Sequence, residues 1–119
     1  MDIEQLREFA LTLPKATEDM PYGEGWLVFR IEGKIFLHLR LDTAEATCAV
    51  KLEPEYGEEL RMHYEGVQPA YHLNKRHWSD LYLDTLDNSF VEALVRRSYS
   101  IVVAKLPKRI RESISGVVD

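Results

Sequence analysis

Apolar residues recur every three or four positions at the start of the chain, and they alternate with polar residues after position 25. The first spacing predicts a helix that Asp2 caps and Pro14 ends. The apolar stripe of this helix consists of Ile3, Leu6, Phe9, Ala10 and Leu13. Residues 14–25 carry two prolines and two glycines, so we expect a loop there.

The alternating pattern predicts three strands, at 26–31, 35–41 and 47–52, with a tight turn at 32–34. Successive side chains of a strand point to opposite faces of the sheet. The face predicted to meet the core holds Leu27, Phe29, Ile31, Ile35, Leu37, Leu39, Leu41, Cys48, Val50 and Leu52. The opposite face should hold Trp26, Val28, Arg30, Phe36, His38, Arg40, Thr47, Ala49 and Lys51.

The second half of the chain begins with a predicted helix from 54 to about 64, because proline at the first helical position loses no hydrogen bond. Two short strands are then predicted at 70–73 and 81–84, around a turn at Asn74-Lys75. Residues 77–79 fit either a strand or a helical turn, and their periodicity does not decide between the two.

The last part of the chain is predicted to be helical. Ser89 and Glu92 form a capping-box pattern that opens a helix, and we extend this helix through 101–103 because no turn signal interrupts it. Pro107 opens a final helix through Ile114. The order α-β-β-β-α-β-β-α-α predicts an α+β two-layer sandwich, with a mostly antiparallel five-stranded sheet and helices on one face.

Composition adds limits to this picture. The 119 residues fit one domain, 1–119, and the formal net charge is −5. Residues 1–69 hold 7 basic and 14 acidic residues, whereas residues 70–119 hold 8 and 6, so a polyanion would meet the second half or a local patch. No membrane-length apolar run or signal-peptide pattern is visible, and Cys48 is the single cysteine. We expect a cytoplasmic protein without membrane contact.

The face opposite the core is the first candidate site, because it combines aromatic rings with cations. Rings that stack on bases and cations that meet phosphates are typical of single-strand binders built on sheets. The candidate residues are Trp26, Arg30, Phe36, His38, Arg40 and Lys51. The alternatives are an ordinary wet face of a two-layer fold, or a face covered by a protein partner.

The predicted hairpin is the second candidate, since a protruding turn with cations can follow a phosphate backbone. Its candidate residues are Asn74, Lys75, Arg76, His77 and Trp78. The alternative is that Tyr71 and Trp78 pack the hairpin on the body of the domain. A third positive spot is formed by Lys105, Lys108, Arg109 and Arg111, which could equally complement the negative end of a helix dipole.

No catalytic or metal-binding motif is recognisable. The four histidines lack the spacing of a strong metal motif, and the cluster Glu53, Glu55, Glu58 and Glu59 suits a helix N-terminus. Cys48 has no activating neighbour in the sequence and fits a core position. We therefore expect no enzyme, no metal and no cofactor. A small-ligand site would need a pocket between the hairpin and the first loop, lined by Tyr22, Tyr71 and Trp78.

Three segments carry a family resemblance. They are Pro69-Ala70-Tyr71-His72-Leu73-Asn74-Lys75-Arg76-His77-Trp78, then Ser98-Tyr99 with Ile101-Val102, and Leu106-Pro107-Lys108. With Phe29 through Lys34 and Val50-Lys51, they resemble the MmcQ/YjbR family of small bacterial proteins. The resemblance implies a fold similar to CyaY or to secretion chaperones. Proteins of this family are usually described as DNA-binding, and the resemblance supplies no catalytic residues. It places possible DNA contacts at Asn74 to Trp78, with Lys105 and Lys108 behind them.

We therefore expect a non-enzymatic DNA-binding protein. The alternative is a protein-interaction module, chaperone-like or dimerising, that uses the exposed sheet face. DNA, a protein partner or a second copy of the chain are the partners that these hypotheses imply.

Overall fold

The computed structural model describes residues 1–114, which form one sheet with helices packed on one side. The helices are α1 Ile3–Leu11, α2 Pro54–His63, α3 Asn88–Ala104 and α4 Lys108–Ile114, with a short 3-10 helix at Leu83–Thr85. The strands are β1 Thr17–Asp19, β2 Trp26–Ile31, β3 Lys34–Arg40, β4 Thr47–Lys51, β5 Val67–Pro69 and β6 Trp78–Tyr82.

The sheet has the strand order β1-β2-β3-β4-β6-β5, and every neighbouring pair is antiparallel. The predicted α+β sandwich is confirmed, although the described residues form six strands and not five. The additional strand, β1, spans Thr17–Asp19 and contains only polar residues. It carries no apolar alternation, so the sequence pattern could not reveal it.

Helix α3 packs on the centre of the sheet, against β2, β3 and β4. We call this side of the sheet the first face. The inward set predicted from alternation meets it, and Phe29, Leu37, Cys48 and Val50 are fully buried there. Leu41 and Ile35 are exceptions. Strand β3 ends at Arg40 and Leu41 is 39% exposed, whereas Ile35 pairs with Arg30 and is only partly buried.

The long helix confirms the helical prediction for 101–103, since α3 continues to Ala104. Its start differs slightly from the prediction. Asp87 is the N-cap residue and the helix begins at Asn88, so the capping-box pattern of Ser89 and Glu92 falls inside the first turn. Asp2 does form the predicted cap of α1, where a reciprocal bond with Gln5 completes a capping box.

A β-bulge in the first hairpin reverses one face assignment. Phe29 pairs with Leu37 and Arg30 pairs with Ile35, so Phe36 is the extra residue between them. Phe36 therefore turns to the first face, where it is fully buried and packs edge-on against Tyr99, 5.2 Å between ring centroids. The prediction that Phe36 lies on the exposed sheet face is wrong, because strict alternation does not survive a bulge.

Ser98 of α3 stabilises this irregular region. Its buried hydroxyl donates to the carbonyl oxygen of Phe36 at 2.6 Å and accepts from the backbone N–H of Lys51 at 2.8 Å. The bulge interrupts the regular ladder between strands, and one side chain supplies partners for two backbone groups. The next residue, Tyr99, donates its hydroxyl to the carbonyl of Pro14 at 2.5 Å and so fixes the loop after α1.

The second hairpin lies earlier in the chain than predicted. Strands expected at 70–73 and 81–84 are found at Val67–Pro69 and Trp78–Tyr82. Residues 70–77 between them form an irregular loop, which we call the covering loop. This segment holds one tyrosine and two histidines but no β-branched residue, and its polar side chains bond to the loop's own backbone.

Candidate functional site

The second face of the sheet, opposite the helices, is much less exposed than the sequence suggested. Val28, His38 and Ala49 lie side by side on β2, β3 and β4, and each is at most 4% exposed. The neighbouring position on β6 is Asp80, whose carboxylate accepts the backbone N–H of Tyr71 at 3.1 Å. The covering loop is thereby attached to the centre of this face.

The covering loop is held in shape by two of the residues that were candidates for DNA contact. The Lys75 ammonium donates to the carbonyl oxygens of Ala70 at 2.9 Å and Tyr71 at 3.2 Å. The Asn74 carboxamide accepts the backbone N–H of Arg76 at 2.9 Å. Asn74 and Lys75 therefore serve the loop's own structure, whereas the Arg76 side chain is exposed.

Four rings pack together beneath and beside the covering loop. The Trp26 ring meets His38 at 6.0 Å and His72 at 5.7 Å, both edge-on. His38 also meets Trp78 edge-on, with 4.8 Å between ring centroids. The Arg40 guanidinium lies 5.0 Å from the centroid of the Trp26 ring. Edge-on ring pairs and a cation over an indole both add attraction beyond apolar burial.

A pocket of about 350 Å³ opens between these rings and the loop that precedes β2. We call it the ring pocket, and it is lined by Tyr22, Trp26, His38, His72 and Leu73. A small-ligand site, the least favoured of the hypotheses, would have needed a pocket here with Tyr22, Tyr71 and Trp78 as its lining. Tyr22 does line it, but Tyr71 and Trp78 do not. Alternation alone could place Trp26 and His38 on this face. It could not show that the covering loop, which lies later in the chain, would pack over them.

His38 is a buried polar ring without a full set of partners. Its Nδ1 is shielded from solvent, and no hydrogen bond from residues 1–114 reaches it. Burial, with a smaller contribution from the Arg30 charge, lowers the pKa of His38 to about 4. The imidazole is therefore neutral at physiological pH.

The two arginines predicted on the second face are both neutralised. Arg30 donates to the Asp19 carboxylate at 2.8 Å and to the Gly33 carbonyl at 3.0 Å. Arg40 donates to Asp42 at 3.1 Å. Asp19 and Asp42 thus pair with these cations, although the sequence pattern did not assign either carboxylate to this face. The face therefore does not form the positive surface that we expected.

A different group of cations does come together, at the end of the sheet where α3 terminates. Lys34, Lys51 and Lys105 line a pocket of about 390 Å³ with apolar walls from Ile35, Val102 and Leu106. We call it the lysine basin. In the described part of the chain, no ion pair reaches any of these three ammonium groups. Burial and the neighbouring Lys105 charge lower the pKa of Lys51.

The remaining candidates are dispersed. Lys108 lies 4.0 Å from the Glu112 carboxylate, one helical turn away. His77 is half-buried, and Trp78 is part of the ring cluster. Cys48 is fully buried, which raises the pKa of its thiol and matches a core role.

The residues that the sequence reasoning missed are Lys34 and His72. Lys34 was assigned to a turn, and its link to Lys51 and Lys105 depends on how the sheet meets the end of α3. His72 was assigned to a strand, whereas it belongs to the covering loop and lines the ring pocket. The presence of histidine and lysine was the only signal in the sequence. Contacts between residues as far apart in the chain as Lys34 and Lys105 leave no local pattern that could predict them.

Within residues 1–114, none of the helices combines the length and the apolar character needed to span a bilayer. In the same part of the chain, no three side chains of the metal-binding types lie close enough together to hold an ion.

The chain is similar to several bacterial proteins along almost its whole length. It is 31% identical over 113 residues to "Uncharacterized protein YjbR" of Escherichia coli K12, an alignment that covers 94% of this chain and 96% of that protein. It is 29% identical over 112 residues to "Uncharacterized protein YbdF" of Escherichia coli O157:H7, covering 93% and 92%.

Solved structures show the same fold. The crystal structure of a Deinococcus radiodurans protein with a domain described as DUF419 has a TM-score of 0.88 and 30% identity, covering 95% of this chain and 87% of that one. A Pseudomonas syringae crystal structure has a TM-score of 0.75 and 25% identity, covering 85% and 98%. A family model described as YjbR matches residues 11–101. The chain therefore belongs to the YjbR family.

Proposed function

We propose that this domain binds nucleic acid without catalysing a reaction, and that the lysine basin makes the phosphate contacts. The observation that carries the proposal is the meeting of Lys34, Lys51 and Lys105 around one pocket, with no ion pair to any of them in the described residues. Five other cations are paired with carboxylates: Arg7, Arg30, Arg40, Arg97 and Lys108. The basin is where positive charge remains available to a polyanion.

Electrostatics inside the basin favour an anion. Lys51 is half-buried, and both its burial and the Lys105 charge disfavour its ionised form. A phosphate group between the two ammonium groups would reverse that effect, since an opposite charge close by favours the charged form. Arg109 follows Lys105 in the chain and is exposed, so a further phosphate could meet a cation near the same end of the domain.

The proposed phosphate contacts keep Lys51 and Lys105 from the sequence candidates, add Lys34, and leave out the arginines of the sheet face. Arg30 and Arg40 are paired with Asp19 and Asp42, and Lys75 is occupied by the covering loop. Of the hairpin candidates, Arg76 keeps an exposed side chain that could contact a backbone. The lysine basin, and not the ring-bearing sheet face, thus supports the phosphate interaction.

The test is a titration of short labelled DNA, single-stranded and duplex, followed by fluorescence anisotropy at about 50 and 200 mM salt. We expect affinity to fall with salt, and we expect the log–log slope to decrease by about 0.7 for each phosphate contact removed from a single strand. The double variant Lys51→Gln/Lys105→Gln should weaken binding and reduce this slope. Arg30→Gln is the matched control, because its charge is already paired. The absence of binding at low salt, or affinity independent of salt, would contradict the proposal.

A protein-interaction role is the second candidate. Large apolar side chains of Met20, Tyr22 and Leu41 are 42%, 62% and 39% exposed in the segments that flank β2 and β3. Because the covering loop already shields the centre of the second face, these margins are what a second copy of the chain could cover. Sedimentation velocity tests this role: a dimer that Met20→Ser/Leu41→Ser dissociates would support it. A monomer at all concentrations would remove the self-association form of the hypothesis.

A further inference from the structure

We propose that the ring pocket binds one flat heteroaromatic ring, held between aromatic side chains and hydrogen-bonded by His38. The pocket lies on the second face and shares no lining residue with the lysine basin. It is therefore a site separate from the phosphate contacts proposed above, and it can be tested separately.

The size and lining of the pocket determine what can enter. About 350 Å³ is at the small end of the range for ligand pockets, roughly 300–1,000 Å³, and suits one ring or two fused rings. Tyr22, Trp26 and His72 supply ring surfaces and Leu73 supplies an aliphatic one. Planar apolar walls favour a planar guest, because stacking and edge contacts are lost if the guest is bulky.

Two of the walls, Trp26 and His72, are held in place before any ligand arrives. The Arg40 guanidinium lies against the Trp26 ring and is itself held by Asp42. His72 is supported by its edge contacts with Trp26 and Tyr71. A site whose side chains are already ordered loses less entropy on binding than a mobile one.

His38 supplies the polar contact. A neutral imidazole carries one proton, either on Nδ1 or on Nε2. A proton on Nδ1 would be sealed away from solvent without an acceptor, since no described residue bonds to that atom. With the proton on Nε2, the buried Nδ1 carries only its lone pair. The N–H is then at Nε2, which is not among the atoms shielded from solvent, and His38 lines the pocket. A guest with a ring acceptor can receive this N–H.

The charges around the pocket favour a neutral guest. Asp80 is two strands from His38 in the cross-strand row, with Ala49 between them, and its carboxylate lies within the influence of the Arg40 and Lys75 charges. The Asp42 carboxylate pairs with Arg40, so positive and negative groups are balanced. The ligand class is therefore a neutral, planar heterocycle with an acceptor nitrogen or oxygen. Such a ring could come from a free small molecule or from an unstacked base of a single strand, and the experiment separates these sources.

The experiment follows the indole signal of Trp26 and the ring signals of His38 and His72 by NMR. Free adenine and free cytosine are added at about 5 mM, which reveals dissociation constants up to the millimolar range. Indole is the matched planar probe without a ring acceptor. We expect the bases to shift all three signals. Substituting His38→Phe should weaken binding of the bases about tenfold, the usual scale for one lost hydrogen bond, and leave indole nearly unchanged.

Tyr22→Ala is the second variant, chosen because the Tyr22 side chain is 62% exposed and its loss should not affect folding. It should weaken binding of bases and indole alike. Tyr64→Ala is its control, since Tyr64 is also partly exposed but lies outside the ring pocket. Lys51→Gln should leave the free-base shifts unchanged, so a failure of the nucleic-acid proposal would not be mistaken for a failure of this one.

A six-residue deoxyadenosine strand provides the second arm. If only the strand shifts the pocket signals, and Tyr22→Ala weakens this effect, the guest is a base of a single strand. If the free bases bind with the same variant dependence, a free heterocycle is sufficient. If neither free bases nor strand shift the signals of Trp26, His38 and His72, or if Tyr22→Ala and His38→Phe have no effect, the proposal is wrong.

Discussion

The two faces of the sheet are both buried, but by different means. The first face is covered by helices and filled by aliphatic side chains and by the rings of Phe29, Phe36 and Tyr99. Ser98 there makes two hydrogen bonds. The second face is covered by an eight-residue loop and a cluster of rings, and His38 there keeps an unpartnered nitrogen. The first arrangement is suited to stability, whereas the second leaves a pocket and an unused polar group.

This difference shows where chemistry can be carried in such a small fold. A close-packed apolar core has little tolerance for an unsatisfied polar group or a void. The covering loop also shields apolar surface, but its side chains do not fill all the space between themselves and the rings of the second face, so a pocket remains. Function is therefore expected on the loop-covered face and at the sheet end, and the following predictions test the contrast between the two faces.

The largest expected effect is at Phe36. Phe36→Ala should lower the free energy of unfolding by about 3–5 kcal/mol, because it removes a fully buried ring from the first face. Chemical denaturation measures this value. Trp26→Ala is the comparison on the second face and should cost less, since Trp26 is only partly buried. A loss below about 1 kcal/mol at Phe36 would place that ring at the surface and contradict the bulge.

The second effect concerns pH. The pKa of His38 is about 4 in the folded chain, below the ordinary histidine value of 6.5, so the unfolded chain binds more protons between these values. Folding stability should therefore fall as pH is lowered from 6.5 towards 4, by at most about 3 kcal/mol from this residue.

Stability curves of the native chain and of His38→Phe, measured between pH 7 and 4, isolate this contribution because the carboxylates titrate in both proteins. The variant should show a shallower loss. His63→Phe is the control for an exposed histidine. Parallel curves for the native chain and His38→Phe would mean that His38 is not held neutral by burial.

The third effect concerns Ser98. Ser98→Ala should destabilise the domain by about 1–3 kcal/mol, because the Phe36 carbonyl and the Lys51 N–H both lose a partner inside the protein. Ser98→Thr is less informative because its extra methyl group enters a packed site. Hydrogen exchange at Lys51 provides a local readout, and its amide should lose protection in the alanine variant. Unchanged protection there would argue against the bond.

The smallest expected effect is at Arg30. Arg30→Gln breaks an exposed pair with Asp19 and should cost less than about 1 kcal/mol. The difference should shrink further in high salt, because exposed pairs are screened. Thermal unfolding at two salt concentrations measures it. A large, salt-independent loss would show that Arg30 supports the second face in a way that an ion pair does not explain.

Much of the fold followed from periodicity, and most of the site did not. The strands at Trp26–Ile31 and Lys34–Arg40 and the long helix were visible as alternation and as helical stripes. Phe36 was misplaced because a bulge adds one residue without a local signature. The strand Thr17–Asp19 was missed because it is short and polar.

The residues that signalled the family were found, but their role was not. Asn74 and Lys75 shape the covering loop, and Ser98 and Tyr99 fix α3 to the bulge and to the first loop. Their side chains bond to the backbone of the protein itself. The sequence alone cannot tell such a structural role from a role in ligand binding. The ring pocket and the lysine basin depend on contacts between distant segments, which no window of sequence contains.

The two outermost strands have a consequence for how copies of this protein can meet. Each spans three residues; β1 carries Glu18 and Asp19, and β5 ends in Pro69, which has no N–H to donate. Short, charged or proline-ended borders are poor templates for adding a foreign strand. The chain is thus protected against fibril-like growth through its backbone, and any specific assembly has to use side chains.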